Sequence, residues 1–212
     1  MANKKQKVVI VGAGGLGREL FAYLSAEPDR FEVLGFIDDS PEDPLEGYDY
    51  PVGVLSSISA YQPREDEQLL LAIMSPKAKA RVTGQLKEKG GRFLTYIHPS
   101  AFIGHNVCLG EGVVIAPHCI LTADIAVGDF FFLNTSSTLG HDVRVGDWVS
   151  INGKCEMCGS VALGDRVLVG ACATIIPEKK VASDAFVGAG SVVVSDVVQT
   201  VTVFGNPAKK IT

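Results

Sequence analysis

In the second half of the chain the hydrophobic positions recur every six residues. The series Ile97, Ile103, Leu109, Ile115, Leu121, Val127, Leu133, Leu139, Val145, Ile151, Met157, Leu163, Val169, Ile175, Val181, Val187, Val193 runs without a miss. Four residues after these positions the side chain is mostly small or β-branched, as at Ala101, Val107, Val113, Cys119, Val143 and Cys155. A helix repeats its buried face every ~3.6 residues and a strand about every two, so a period of six fits neither. It fits a prism. Each hexad supplies a short strand and a corner, three hexads close one coil, and coils stack at about 4.8 Å. Seventeen hexads predict five to six coils of parallel β-solenoid over residues 97–198, with 199–212 as a tail. Gly follows the apolar residue at 104, 110, 128, 140, 146, 164, 170 and 188. The expectation is that it supplies the unusual backbone angle of a corner.

Residues 1–96 follow another rhythm and read as a small α/β domain. Lys7–Val11 is a buried strand, Arg18–Ala26 a helix, Glu32–Ile37 and Gln68–Ile73 strands, Lys77–Lys89 a helix, and Arg92–Ile97 a strand that leads into the solenoid. Pro41–Tyr50 and Gln62–Glu67 read as solvated loops. Gly12, Gly14 and Gly17 stand between the first strand and its helix. In that context a G-x-G-x-x-G loop lets backbone N–H groups approach a phosphate, and an acid about 20 residues on bonds a ribose or base. Asp38 and Asp39 end the second strand and fill that place. A dinucleotide needs two such halves. The roughly 95 residues ahead of the repeat hold one, so the expected ligand is a single nucleotide and not NAD. A glycine-bearing turn that binds nothing is the alternative.

Composition narrows the choice. Apolar residues make up 47% and the net charge is −5, with no basic stripe, which argues against nucleic acid. No apolar run reaches bilayer length, and Gly12 breaks the Val8–Val11 run too early for a signal segment. No membrane association and a cytoplasmic location are expected. The cysteines are Cys108, Cys119, Cys155, Cys158 and Cys172. Only Cys155 and Cys158 form a C-x-x-C pair and no second pair matches it, so buried thiols without metal are expected. Among the histidines, His98 reads as a junction residue, and His105 and His118 as surface or packing residues. His105 and His141 share a face but lie two coils apart, roughly 9–10 Å. That is too far for zinc bonds of about 2 Å, and His118 falls on another face.

The hexads, with Gly205-Asn206-Pro207-Ala208-Lys209 near the end, resemble the bacterial hexapeptide-repeat acyltransferases. Their solenoid is left-handed, against the usual crossover rule. A half-Rossmann (βαβ) unit fused to a left-handed parallel β-helix resembles one subgroup, the sialic acid O-acyltransferases and the nucleotide-amino-sugar N-acetyltransferases of the bacillosamine-pathway kind. The most specific stretch is Leu133-Asn134-Thr135-Ser136-Ser137-Thr138-Leu139-Gly140-His141-Asp142, close to the family's L-N-T-x-x-x-x-x-H-[DE].

The resemblance implies acetyl-CoA as co-substrate, no metal, and a nucleotide-activated amino sugar as acceptor. It also implies a homotrimer with active sites between chains. His141 is then the general base and Asp142 its orienting acid. The Gly159 N–H bonds the acetyl carbonyl, unless Gly159 is only a corner glycine. Asn134 contacts the acceptor or a neighbouring chain. Gly12, Gly14, Gly15, Leu16, Asp38 and Asp39 fall to the substrate. Two positions depart from the pattern. Leu16 stands where the family often has His. Ser150 stands where it has a second His that contacts the donor, and Ser150 retains a hydroxyl for that contact. The register adds an independent point: Gly159 lies eighteen residues, or one coil, after His141. The expected domains are a nucleotide-sugar-binding α/β domain (1–96), a left-handed β-helix acetyltransferase domain (97–198) and a tail (199–212). An O-acetyltransferase acting on a sialic acid or another sugar hydroxyl, and a nucleotide-sugar-binding scaffold with a decayed site, are the alternatives.

Overall fold

The computed structural model describes residues 5–211. The chain divides into two compact units. One runs to Met74 and includes Ala78–Leu94; the other comprises Ser75–Lys77 and the chain from Thr95 onward.

The first unit is built on a parallel sheet. Its strands are β1 (Gln6–Val11), β2 (Phe31–Ile37), β3 (Val54–Ser56) and β4 (Glu67–Leu71), in the order β3-β2-β1-β4. Val8 to Val11 are fully buried, as an uninterrupted apolar run in a parallel strand requires. Helix α1 (Gly15–Ser25) buries Gly17, Leu20 and Leu24, spaced three and four apart on one stripe. Helix α2 spans Pro76–Glu88.

Several sequence expectations change here. β3 was not anticipated, because three residues are too few to show a period. The expected strand Arg92–Ile97 splits: Phe93 makes an isolated bridge to Leu69, and Tyr96–Ile97 is the first strand of the solenoid. Neither expected solvated loop is wholly solvated. Leu45 is buried, and the Tyr50 ring stands edge-on to Phe21 at 5.1 Å and Phe36 at 6.1 Å. Glu67 opens β4 and is 1% exposed. Its carboxylate accepts hydrogen bonds from the Tyr61 hydroxyl at 2.5 Å and from Arg64 Nε at 2.9 Å. The composition of a loop averages over such anchors, whereas single apolar or partnered residues decide what is buried.

The second unit is the solenoid. Among the described residues, its parallel strands form three faces. One begins at Tyr96–Ile97, one at Phe102–His105 and one at Cys108–Leu109, and the coils number about six. Each strand pairs with the strand eighteen residues on, as in Val127↔Val145 and Leu133↔Ile151. The aliphatic series points inward and so does the series four residues later: Leu139, Val143, Ile151, Cys155, Met157 and Val161 are all 2% exposed or less. The fold is the parallel β-solenoid that the six-residue period predicts. Beyond the last hexad, Thr202–Phe204 joins the Tyr96 face in parallel and turns back as the antiparallel strand Lys209–Lys210. The Phe204 ring lies where a Cβ on Gly188 would be, 2.3 Å away.

The glycines of the hexads have a different role from the expected one. The positive-φ corner falls two residues later, and residues with side chains occupy it: Asn106, His118, Asp124, Phe130, Ser136, Asp142, Trp148 and onward every sixth residue, with only Gly112 and Gly190 as glycines. The glycine after each apolar residue instead makes room for the coil above. A Cβ on Gly128 would lie 2.2 Å from Asp147 Oδ1, and one on Gly146 2.3 Å from Asp165 Oδ1. Those carboxylates accept hydrogen bonds from the N–H of Asp129 at 2.8 Å and of Asp147 at 3.0 Å. The Gly-Asp pairs at 128–129, 146–147 and 164–165 thus form a ladder in which each Asp caps the corner N–H of the coil before it.

Candidate functional site

His141 and Asp142 stand at the corner between the Phe102 and Cys108 faces. Leu139 and Val143, on either side, are fully buried, so the hexad pins the backbone while both polar side chains point outward. The His141 side chain is 69% exposed and that of Asp142 52%. His141 Nδ1 lies 2.8 Å from Asp142 Oδ2. An ionised carboxylate only accepts, so in the neutral imidazole this pairing selects the tautomer with the proton on Nδ1 and the lone pair on Nε2. Gly159 lies directly above: a Cβ there would meet His141 Nε2 at 2.6 Å and Cε1 at 2.7 Å. The imidazole is seated on the one residue type that leaves it space.

The backbone of this corner differs from the ladder corner. There the corner N–H groups of Glu111, Asp129, Asp147 and Asp165 are capped by side chains of the next coil. At the His141 corner the N–H of Gly159 has no acceptor among the described residues. A base with a free lone pair beside an unspent donor is a geometry suited to acyl transfer, in which one group takes a proton and another steadies the developing oxyanion.

The other predicted residues are placed as follows. Asn134 is half-buried, and its side-chain oxygen accepts from the N–H of Thr135 at 2.7 Å. Ser150 is fully buried and its hydroxyl has no hydrogen-bond partner. It lies in a strand of the Tyr96 face, Ser150–Ile151, so a contact with the donor would require that hydroxyl to be uncovered. His98 Nδ1 bonds the Ser100 hydroxyl at 2.8 Å, and His105 and His118 are exposed. Burial raises the pKa of the Cys155 thiol to about 11, and all five cysteines are free. Among the described residues no group of three or more His, Cys, Asp or Glu side chains could hold a metal, and no helix is long and apolar enough to cross a membrane.

The first unit carries a cavity at the C-terminal ends of its strands, lined by Gly12, Gly14, Asp38, Asp39, Ser40 and Arg81 among others. The three loop glycines have three distinct roles. Gly12 has φ +106°, which a side chain rarely adopts. A Cβ on Gly17 would lie 2.0 Å from the Gly12 carbonyl oxygen, so Gly17 lets α1 pack against β1. Gly14, the N-cap of α1, and Gly15 have nothing within 4 Å of such a Cβ and are exposed; a ligand can approach the backbone there. Leu16 is half-buried.

The structure separates the two acids. Asp38 Oδ2 accepts from the Ala13 N–H and Oδ1 from the Ser40 N–H, both at 2.7 Å, so Asp38 ties the glycine loop to the end of β2. Asp39 is exposed and has one long bond, from the Ser59 N–H at 3.3 Å. Burial pushes the Asp38 carboxyl up, but the donors at Ala13 and Ser40 outweigh it and hold its pKa below the ordinary value. A depressed pKa means that the stabilisation is present above the unfolded value of about 3.9 and is lost as pH falls through the folded one. Asp38→Asn is therefore expected to destabilise the first unit by about 1–3 kcal/mol near neutrality and to weaken nucleotide binding. It should also remove part of the stability loss seen below about pH 4. Urea unfolding of both proteins at acidic and neutral pH checks this; identical pH dependence would free Asp38 of the role.

Sequence reasoning missed Ser40, Ile58 and Arg81 in this cavity. No motif marks them; Arg81 comes from α2 and is brought in only by the fold.

The repeat solenoid and the His141 corner resemble what a hexapeptide-repeat acyltransferase would present. The description "PglD N-terminal domain" matches residues 7–86 and "GMPPB C-terminal domain" matches residues 93–193. The acetyltransferase domain of PglB from Neisseria gonorrhoeae is 25% identical with a TM-score of 0.88, covering 98% of this chain and 100% of that one. PerB from Caulobacter crescentus, in complex with CoA and GDP-perosamine, is 29% identical with a TM-score of 0.88 over 97% of both chains. A UDP-N-acetylbacillosamine N-acetyltransferase from Bacillus subtilis (strain 168) is 29% identical over 113 residues, 52% of this chain. That match spans about half the length of the curated relative. Over nearly its whole length the chain is thus similar to acetyltransferases that include a perosamine N-acetyltransferase, with one family model matching its first part and another its second.

Proposed function

We propose that this chain transfers the acetyl group of acetyl-CoA to the amine of a nucleotide-linked amino sugar, in the biosynthesis of a cell-surface glycan. The observation that carries the reading is the His141–Asp142 pair with Nε2 seated against Gly159. The sugar amine attacks the thioester carbonyl, and His141 Nε2 takes its proton. Asp142 holds the ring and stabilises its charged form, and the Gly159 N–H donates to the oxyanion. As the C–S bond breaks the CoA sulfur leaves and takes a proton, so the products are an amide and a free thiol. No covalent enzyme intermediate and no metal is required.

The donor has a candidate seat beside the corner. A groove of about 760 Å³ runs over the Cys108 face, floored by small residues including Ala126, Gly128, Gly146 and Ala162 and flanked by Arg144 and Lys180. Assembly as a homotrimer, with sites completed by a neighbouring chain, is part of the same reading. The outward Phe102 and Ile120 support it: they pair in adjacent coils and are 60% and 42% exposed. The first unit holds the nucleotide of the acceptor, a reading that the cavity at its glycine loop supports; PerB was solved with GDP-perosamine and CoA. A cytoplasmic setting, where acetyl-CoA is supplied, goes with this chemistry.

The test is thiol release from acetyl-CoA across UDP-, GDP- and dTDP-linked amino sugars. At least one amine is expected to turn over. Release with a sugar hydroxyl and with no amine would replace this reading by O-acetylation. No release with either would leave a binding scaffold.

A further inference from the structure

The nucleotide cavity holds a charge problem that its glycine loop does not solve. All the residues concerned belong to the first unit. The loop presents free N–H groups at the start of α1, whose first turn carries no acid, and this suits a phosphate. A diphosphate brings more negative charge than a helix terminus offsets, and the cavity wall adds the carboxylates of Asp38 and Asp39. Asp38 is committed to the N–H groups of Ala13 and Ser40, yet its charge remains.

Arg81 is the one Lys or Arg among the residues lining this cavity. It lies on the same face of α2 as Ala78 and Val82, which line the cavity with it. Its guanidinium is exposed and forms no ion pair with a described carboxylate. Lys79, two residues earlier, is 1% exposed and is not part of the lining. A planar guanidinium fork matches the oxygens of a phosphate, and a side chain without a carboxylate partner has that fork to spend.

We infer that Arg81 is the cation that pairs with the phosphates of the bound nucleotide. The three charged groups of the cavity then divide the work. Asp38 shapes the loop, Asp39 faces the ribose or base, and Arg81 neutralises the diphosphate. The inference rests on the nucleotide reading given above.

The experiment is calorimetric titration of the wild-type protein, Arg81→Ala and Arg81→Lys with UDP, GDP and the corresponding nucleosides, at low and high salt. Arg81→Ala is expected to weaken the tighter-binding diphosphate by roughly 10- to 150-fold, as the loss of a charge-assisted pair does. Nucleoside and acetyl-CoA affinities and the melting temperature should hold, and added salt should weaken the wild type more than the variant. Arg81→Lys should recover part of the loss. Diphosphate affinity unchanged in Arg81→Ala would overturn the assignment and leave the nucleotide reading intact. Equal loss for nucleoside and diphosphate would also overturn it, because Arg81 would then read the base or ribose. Failure of the wild-type protein to bind any of these ligands would overturn the nucleotide reading, and the role of Arg81 with it.

Discussion

Replacing His141 by Ala is expected to lower kcat by about 10²- to 10⁴-fold at neutral pH, the usual contribution of a positioned general base, with almost no change in melting temperature. The two parts of this expectation have separate causes. The imidazole is 69% exposed, and the buried positions around it belong to Leu139 and Val143, so truncation leaves no cavity in the prism. Asp142 loses its partner but is itself half-exposed and solvated. The chemical loss should depend on the acceptor. Amines of the α-amino kind lose their proton near pH 8, and a sugar amine flanked by oxygens is comparable. Toward pH 9 more of it is free, and the variant should regain part of its rate. A hydroxyl ionises far higher and would show no such rescue. A kcat–pH series on wild type and variant therefore tests base and acceptor together. Wild-type kcat in the variant at pH 7 would end the mechanism proposed here.

The largest structural effect is expected at Gly17. A methyl group there would lie 2.0 Å from the Gly12 carbonyl oxygen and 3.0 Å from its carbon. Both are backbone atoms just past the buried end of β1, so no rotamer change relieves the contact. Helix α1 must move away from β1 and carry the glycine loop with it. Overpacking costs about 1–3 kcal/mol where side chains can adjust. Against backbone the upper end or beyond is expected, which lowers the melting temperature of this unit by about 12–24 °C. A displacement of an ångström can cost on the order of 10²-fold in the rate of a positioned reaction, so kcat/KM for the nucleotide-linked acceptor should fall about that far and nucleotide affinity should fall with it. Gly14→Ala is the control. Its φ of −70° suits any residue, and nothing lies within 4 Å of the added methyl. It should leave stability nearly unchanged and weaken only the nucleotide. Calorimetric melting with nucleotide titration of both variants separates packing from ligand approach. A Gly17→Ala protein as stable as wild type would show that α1 does not depend on this contact.

The six-residue period alone determined the solenoid, its coil number and the stacking of Gly159 over His141, because every coil must return an aliphatic side chain to the same inward place. That constraint is local and repeats, so it is written along the chain. The glycine loop was legible for a similar reason: its three positions lie within one turn, and each has its own steric demand. What only the tertiary structure decided involves groups that the fold brings together from a distance. The hexad glycines looked like corner residues, yet what they make room for lies in the next coil, an Asp at Gly110, Gly128 and Gly146 and backbone at Gly104 and Gly140, while the corners themselves accept Asn, Asp, Trp or Arg at positive φ. Asp38 and Asp39 were alike in sequence. The N–H groups of Ala13 and Ser40 separated them. That Ser150 is buried was likewise invisible in the sequence, since covered or bare is a property of what packs against a strand. Arg81 carried no signal, because a cation on a helix face acquires its meaning from the carboxylates and backbone donors that the fold sets around it.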